Sequence, residues 1–289
     1  MTYKMIALSL LASLSVHAAP GAAIGVASAT GTFVLDRAVV QGNGTIFDGA
    51  LIESARVTPD VALNNGVRLR MGMDSRGKVY RNRLVLEQGA GQITATPSYS
   101  VEANRLRLVP TGKSATAKVE ISKANLVQVA ALKGGFRVET MAGLALANMS
   151  EGMSLSFDTQ GAGAAAPMKL CGKVEKKGDN LVLTDSTTKV SVILKGTGLD
   201  QYVGKSIAVE GNPSGSGTQQ TLQVLSAKGD SCSSYAGAAG AAGAAGAAGA
   251  AGAAGGIGGA AIAGIVIGVG AGLGLGIAAA TGAFDDESK

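Results

Sequence analysis

Six arginines set in three pairs are the residues best placed to do chemistry in this sequence: Arg68 and Arg70, Arg81 and Arg83, Arg105 and Arg107. A spacing of two puts both members of a pair on one face of a β-strand, opposite leucines such as Leu69, Leu84 and Leu106. If those strands stack side by side, the guanidinium groups form a ladder. Planar forks of this kind recognise carboxylates and phosphates, so the ladder would take an anionic envelope polymer or an acidic protein partner. The same arginines also fit a solvated sheet face whose charge discourages edge-to-edge association.

Catalytic groups are scarce. The single histidine, His17, lies in a segment expected to be removed, which leaves no imidazole base and no histidine metal ligand. Pro110-Thr-Gly-Lys-Ser114 resembles a phosphate loop, but Arg107 stands where that motif needs glycine and no helix is expected to follow, so it reads as a turn. Ser75-Arg-Gly-Lys78 has the Ser-x-x-Lys spacing in a turn between strands, without the helix and partner motifs that activate such a serine. Carboxylates are scattered, and their one cluster, Asp285-Asp286-Glu287, sits in the tail. The expectation is a non-enzymatic chain with no catalytic residues, no metal and no cofactor. A net charge of +5, spread thinly in a chain without tryptophan, also sets nucleic acid aside as a partner.

The ends give a location. Lys4, the apolar run Met5 to Val16 and Val16-His17-Ala18 have the form of a secretory signal cleaved after Ala18. Export implies an oxidising compartment, the periplasm or cell envelope, where Cys171 and Cys232 are expected to pair. That bond would close a loop of about sixty residues and, in the chain-entropy model, stabilise it by roughly 4 kcal/mol. A redox pair would want Cys-x-x-Cys, which is absent.

At the other end, residues 236–256 are a Gly/Ala low-complexity linker, and residues 257–282 are expected to form a transmembrane helix ahead of an acidic tail, 283–289. The stretch Ile257 to Ala280 carries no charged, amide or hydroxyl side chain. On a helix, Gly264, Gly268, Gly272 and Gly276 form a seam along which a second copy could approach, giving a homo-oligomer in the membrane. Gly270 and Gly274 break that one-sidedness, and the apolar odd positions from Ile267 to Ile277 also fit a β ribbon.

Between the ends the chain reads as mainly β, in two domains. Residues 19–167 are short β-branched and leucine-rich runs between glycine turns, with Val67, Leu69 and Met71 alternating against Arg68 and Arg70. After the loose Gly161 to Pro167 stretch, residues 168–235 hold five strand candidates: Leu170 to Val174, Asn180 to Thr184, Lys189 to Leu194, Ser206 to Glu210 and Thr221 to Ser226.

The succession Gly31-Thr-Phe-Val-Leu35, Leu51-Ile-Glu-Ser54, Asn65-Gly-Val-Arg-Leu69, Leu84 to Gly89, Ala131 to Val138 and Met141 to Gly152 resembles the FecR-like periplasmic domain over roughly half the chain. The resemblance implies a many-stranded, coiled β domain that senses or binds outside the cytoplasm and, in some members, reports to a sigma factor. The signal sequence stands where those members carry a cytoplasmic segment, so direct sigma-factor control is not implied. The second domain, centred on Val203 to Gly211, resembles a small OB-like barrel of exported proteins. Together these features imply a membrane-tethered, extracytoplasmic sensing or binding module. The alternative is an envelope assembly protein that oligomerises through its C-terminal glycine-rich segment.

Overall fold

The computed structural model describes residues 21–122, 126–158, 167–216, 219–229, 232 and 265–266. The signal sequence, the Gly161 to Ala166 stretch, the Gly/Ala linker, the glycine seam and the acidic tail lie outside these residues. The described chain is mainly β.

The first part contributes β1 (Gly25–Leu35), β2 (Ala38–Ile46), β3 (Ala50–Glu53), β4 (Asp60–Leu63), β5 (Arg68–Met71), β6 (Arg76–Val79) and β7 (Arg83–Ala95). It continues with β8 (Ser100–Ala103), β9 (Leu106–Pro110), β10 (Ala115–Ile121), β11 (Leu126–Lys133), β12 (Phe136–Thr140), β13 (Ala145–Met149) and β14 (Ser154–Asp158). A period of two drives these strands: β9 reads Leu106, Leu108 and Pro110 inward and Arg107 and Val109 outward.

Strand β7 organises the sheet. Its first half pairs with β6 and, in parallel, with β8; its second half pairs with β5 and β10. The change of partners falls at Gly89, whose φ of +79° suits glycine and where a Cβ would strike Ser75 and the carbonyl of Asp74. Ser75 secures the switch. Its buried Oγ accepts from the Ala90 N–H at 2.9 Å and lies 3.0 Å from the Ala90 carbonyl. Ser54 binds the same loop, accepting from the Ser75 N–H at 3.2 Å and donating to the Gly72 carbonyl.

The second part is a closed barrel of five strands: β15 (Met168–Lys177), β16 (Asn180–Asp185), β17 (Ser191–Lys195), β18 (Ser206–Ser214) and β19 (Thr221–Gly229). These match the five expected segments to within a few residues. Around the barrel the order is β15-β16-β17-β19-β18, with β17 and β19 parallel. A short 3-10 turn, Asp200–Tyr202, joins β17 to β18. Cys171 in β15 and Cys232, just beyond β19, form a disulfide with Cα atoms 5.6 Å apart, as the sequence indicates. Asp185 anchors the β16–β17 turn: one carboxylate oxygen accepts from the N–H groups of Thr187 and Thr188, the other from that of Cys171 at 2.7 Å.

Sheet and barrel share one continuous apolar cluster, running from Ile24 in the sheet to Leu222 in the barrel. They meet along β13. The Asn148 N–H donates to the Thr188 carbonyl at 2.7 Å and its Nδ2 donates to the Lys189 carbonyl at 3.0 Å. Gln220, wholly buried, accepts from the Ala145 N–H at 3.0 Å and donates to the Ala145 carbonyl at 3.3 Å.

A last strand, β20 (Ile265–Val266), pairs antiparallel with β14. Apart from these two residues, the expected transmembrane segment 257–282 lies outside the described residues. Among the described residues no helix is long and apolar enough to cross a membrane.

Candidate binding site

The three arginine pairs do not form one ladder. Arg68 and Arg70 do share the outer face of β5, and Leu69 between them is buried. Arg70 is held by Asp60 of β4 at 2.8 Å. Only one member of each other pair is on a strand. Arg81 belongs to the β6–β7 connection, where it lines a recess of about 340 Å³ with Ile24, Leu63 and Asn64. Arg105 occupies the β8–β9 turn beside Asn104, with φ values of 72° and 44°. Two successive residues with positive φ make a tight mirror-image hairpin turn. Arg105 therefore leaves the face that its spacing from Arg107 suggests.

Arg83 and Arg107 do converge, and the structure adds partners. Glu102 in β8 stands between them, 3.5 Å from Arg83 Nε and 3.7 Å from Arg107 Nη2. Arg107 also lies 3.7 Å from Glu139 in β12, and Glu139 in turn accepts from Arg137 Nε at 3.0 Å. The result is an alternating row, Arg83, Glu102, Arg107, Glu139 and Arg137, across four adjacent strands. Strand register produces it: Glu102 is opposite Arg107, and Arg107 is opposite Glu139.

The carboxylates are sunk and the arginines cover them. The Glu139 side chain is 8% exposed and that of Glu102 19%, against 32–36% for the three arginines. Arg83 is further fixed by stacking over the Tyr80 ring, 4.2 Å from its centroid. Its buried Nε has no hydrogen-bond partner among the described residues. The contacts of Arg107 at 3.7 Å exceed hydrogen-bond length, so its fork is held in place by charge without saturating its N–H donors.

Arg83, Glu102, Arg107 and Glu139 of this row line a depression of about 330 Å³ together with Asn82, Ser98 and Ser100, and Arg137 stands at the row's outer end. The depression offers two guanidinium groups, an amide, two hydroxyls and two carboxylates. Nearby, the Tyr99 phenol is wholly buried without a hydrogen-bond partner among the described residues. Burial raises its pKa first, the Asp48 charge adds to this and Arg83 opposes it, so Tyr99 stays protonated.

A second charged patch lies across β3, β6 and β7. Lys78 and Arg76 meet Glu87 at 2.9 and 2.8 Å, and Arg76 reaches Glu53 at 3.7 Å. The hydrogen bond from Lys78 is the largest influence and holds the Glu87 carboxyl below its ordinary value; desolvation opposes it and Arg76 adds to it. Lys78 is thus engaged by Glu87, and Ser75 is buried in backbone hydrogen bonds, so the Ser-x-x-Lys spacing serves the fold. Pro110 ends β9, and Thr111 to Ser114 form the turn to β10. Among the described residues no three of His, Cys, Asp and Glu gather closely enough to hold a metal ion.

The sequence pattern supplied the arginines but missed their partners. Glu102 and Glu139 are isolated acidic residues in the chain; the β8–β9 hairpin sets Glu102 opposite Arg107, and the longer-range β7–β8 and β9–β12 pairings bring in Arg83 and Glu139. No family model matches this chain, and no curated protein matches it either.

Proposed function

We propose that this chain is an exported, non-enzymatic binding module that engages a protein partner through the Arg83–Glu102–Arg107–Glu139–Arg137 row. The observation that carries this reading is the alternation of the row around a 330 Å³ depression. Along the row three arginines meet two sunk glutamates, and at the depression itself Arg83 and Arg107 balance Glu102 and Glu139. A polyanion gains from uninterrupted positive charge, whereas a protein surface with carboxylates flanked by amide or hydroxyl donors can pair with both signs. The row is polar and fixed by cross-strand pairs, which favours specificity over adhesion.

Two further features support the reading. A many-stranded β domain is what the resemblance to FecR-like periplasmic modules implies, and that family senses or binds outside the cytoplasm. The closed five-strand barrel with its parallel β17–β19 pair supports an OB-like reading, and the OB fold is a common binding scaffold. The signal-like N-terminus would deliver both parts to the cell envelope, and the disulfide suits that compartment.

The test is co-purification from native envelope extracts after chemical crosslinking. The full chain should capture a defined protein, and the Arg83→Gln/Arg107→Gln variant should capture at least tenfold less. Equal capture by both would refute the reading. Salt-sensitive retention on dextran sulfate, lost in the variant and without a protein adduct, would favour a polymer ligand instead.

A further inference from the structure

The recess that Arg81 lines has a chemistry unlike that of the depression beside the Arg–Glu row. Its walls include Ala22, Ala23, Ile24 and Leu63, and Asn64, Asn65 and Arg81 complete it. No carboxylate lines it, and Arg81 is its one charged group. Ile24 and Leu63 belong to the apolar core, so an apolar occupant would extend that core.

Hydrogen bonds set the walls in place. The Asn64 N–H donates to the Ile24 carbonyl at 2.8 Å and its Nδ2 to the Ala23 carbonyl at 3.0 Å, which fixes the entry to β1 against the β4–β5 turn. Gly66, with a φ of +87°, tightens that turn, and its N–H donates to the Leu63 carbonyl at 3.0 Å. Asn65 Nδ2 donates to the Arg81 carbonyl at 3.0 Å, and the Arg81 N–H donates to Asp48 Oδ1 at 2.6 Å. Both asparagine side chains are therefore engaged by the framework, and the Arg81 backbone is held on both sides. Its exposed guanidinium makes no hydrogen bond or ion pair among the described residues. A pre-formed apolar surface thus carries one fixed point of positive charge.

Those features select a ligand class. One guanidinium fork matches one carboxylate, whereas a phosphate dianion would call for a second cation. The volume of about 340 Å³ lies near the lower end of the roughly 300–1,000 Å³ found for small-molecule sites, which suits a short apolar body.

We propose that this recess binds a small amphiphilic carboxylate, its apolar body against Ile24 and Leu63 and its carboxylate on the Arg81 guanidinium. The recess shares no lining residue with the depression beside the Arg–Glu row, so either site can fail without the other.

The test titrates the full-length protein, disulfide oxidised, with butanoate, hexanoate and hexanol below any micelle-forming concentration, followed by methyl-resolved NMR. Affinity should rise about fourfold for each added CH₂ between the two acids. Hexanol should bind at least tenfold more weakly than hexanoate, and so should hexanoate to Arg81→Gln, whose exposed position leaves the urea midpoint unchanged. The Ile24 and Leu63 methyl signals should shift on binding while those of Leu222 in the barrel stay in place. No saturable binding of hexanoate, equal affinity for hexanol, equal binding by Arg81→Gln, or shifts that spare Ile24 and Leu63 would each overturn the proposal.

Discussion

Replacing Gln220 with alanine should loosen the junction between sheet and barrel. The Gln220 side chain is wholly buried and answers both backbone groups of Ala145, itself 3% exposed, at 3.0 and 3.3 Å. In Gln220→Ala the Ala145 N–H and C=O lose these partners with little access to water. Each unsatisfied backbone group costs about 1–3 kcal/mol. Removing the glutamine's own burial offsets part of this, so a net loss of about 2–4 kcal/mol is expected. With a urea slope of about 2–3 kcal/mol/M, the midpoint should fall by roughly 1 M. The assay is urea unfolding of the full chain followed by circular dichroism, with amide exchange read at residues 145–149. Gln220→Glu sharpens the test. Its carboxylate can still accept from Ala145 N–H but repels the Ala145 carbonyl at neutral pH, so the variant should be weaker at pH 7 than at pH 4, where a protonated oxygen can donate. An alanine variant within about 0.5 kcal/mol of the parent, or a glutamate variant equal to the parent at pH 7, would refute the reasoning.

Other substitutions probe the rest of the framework. Tyr99→Phe removes a buried hydroxyl that has no partner among the described residues and should leave stability unchanged or raise it by up to about 1 kcal/mol in thermal unfolding; a loss above that size would contradict the assignment. Arg37, at φ 70° in the β1–β2 turn, should be improved by Arg37→Gly, with a gain of about 0.5–1 kcal/mol by the same measurement. Because the folded-state pKa of Glu87 lies below its ordinary 4.5, its contribution is present above that value and disappears as pH falls through the lowered one. Glu87→Gln should therefore lose no more than about 1 kcal/mol at pH 7, with the difference from the parent vanishing in acid. Asp185→Asn replaces either the oxygen that accepts from Cys171 N–H or the one that accepts from both Thr187 and Thr188, and should destabilise the chain by about 2–3 kcal/mol in urea unfolding.

What could be read from the sequence followed from local periodicity. The five barrel strands were legible because glycine turns bound short alternating runs, and the cysteine pair was legible because Cys171 and Cys232 bracket those runs. Local pattern misplaced Arg81 and Arg105. Asn104-Arg105 turns the chain with two positive φ values and no glycine to announce it, as does Asp36-Arg37. Long-range order was hidden as well. The parallel β7–β8 pair and the β9–β12 pair set Glu102 and Glu139 beside the arginines, and neither pair joins chain-adjacent hairpin strands. Gln220 lies in the polar run Thr218-Gln219-Gln220, which reads as a solvated connection until the barrel brings it against Ala145. The apolar C-terminal tract supports two periods at once, and apart from Ile265 and Val266 it lies outside the described residues.

The central claim is that a protein partner occupies the depression beside the Arg–Glu row. Its most direct test places a photoreactive side chain at Ser98, which is exposed and lines that depression, and in a parallel sample at Asn43 on the exposed face of β2. On illumination in intact envelopes, the account predicts one discrete protein adduct from position 98, lost in the Arg83→Gln/Arg107→Gln background and absent from position 43. Adducts of equal yield from both positions, or none from position 98, would contradict it.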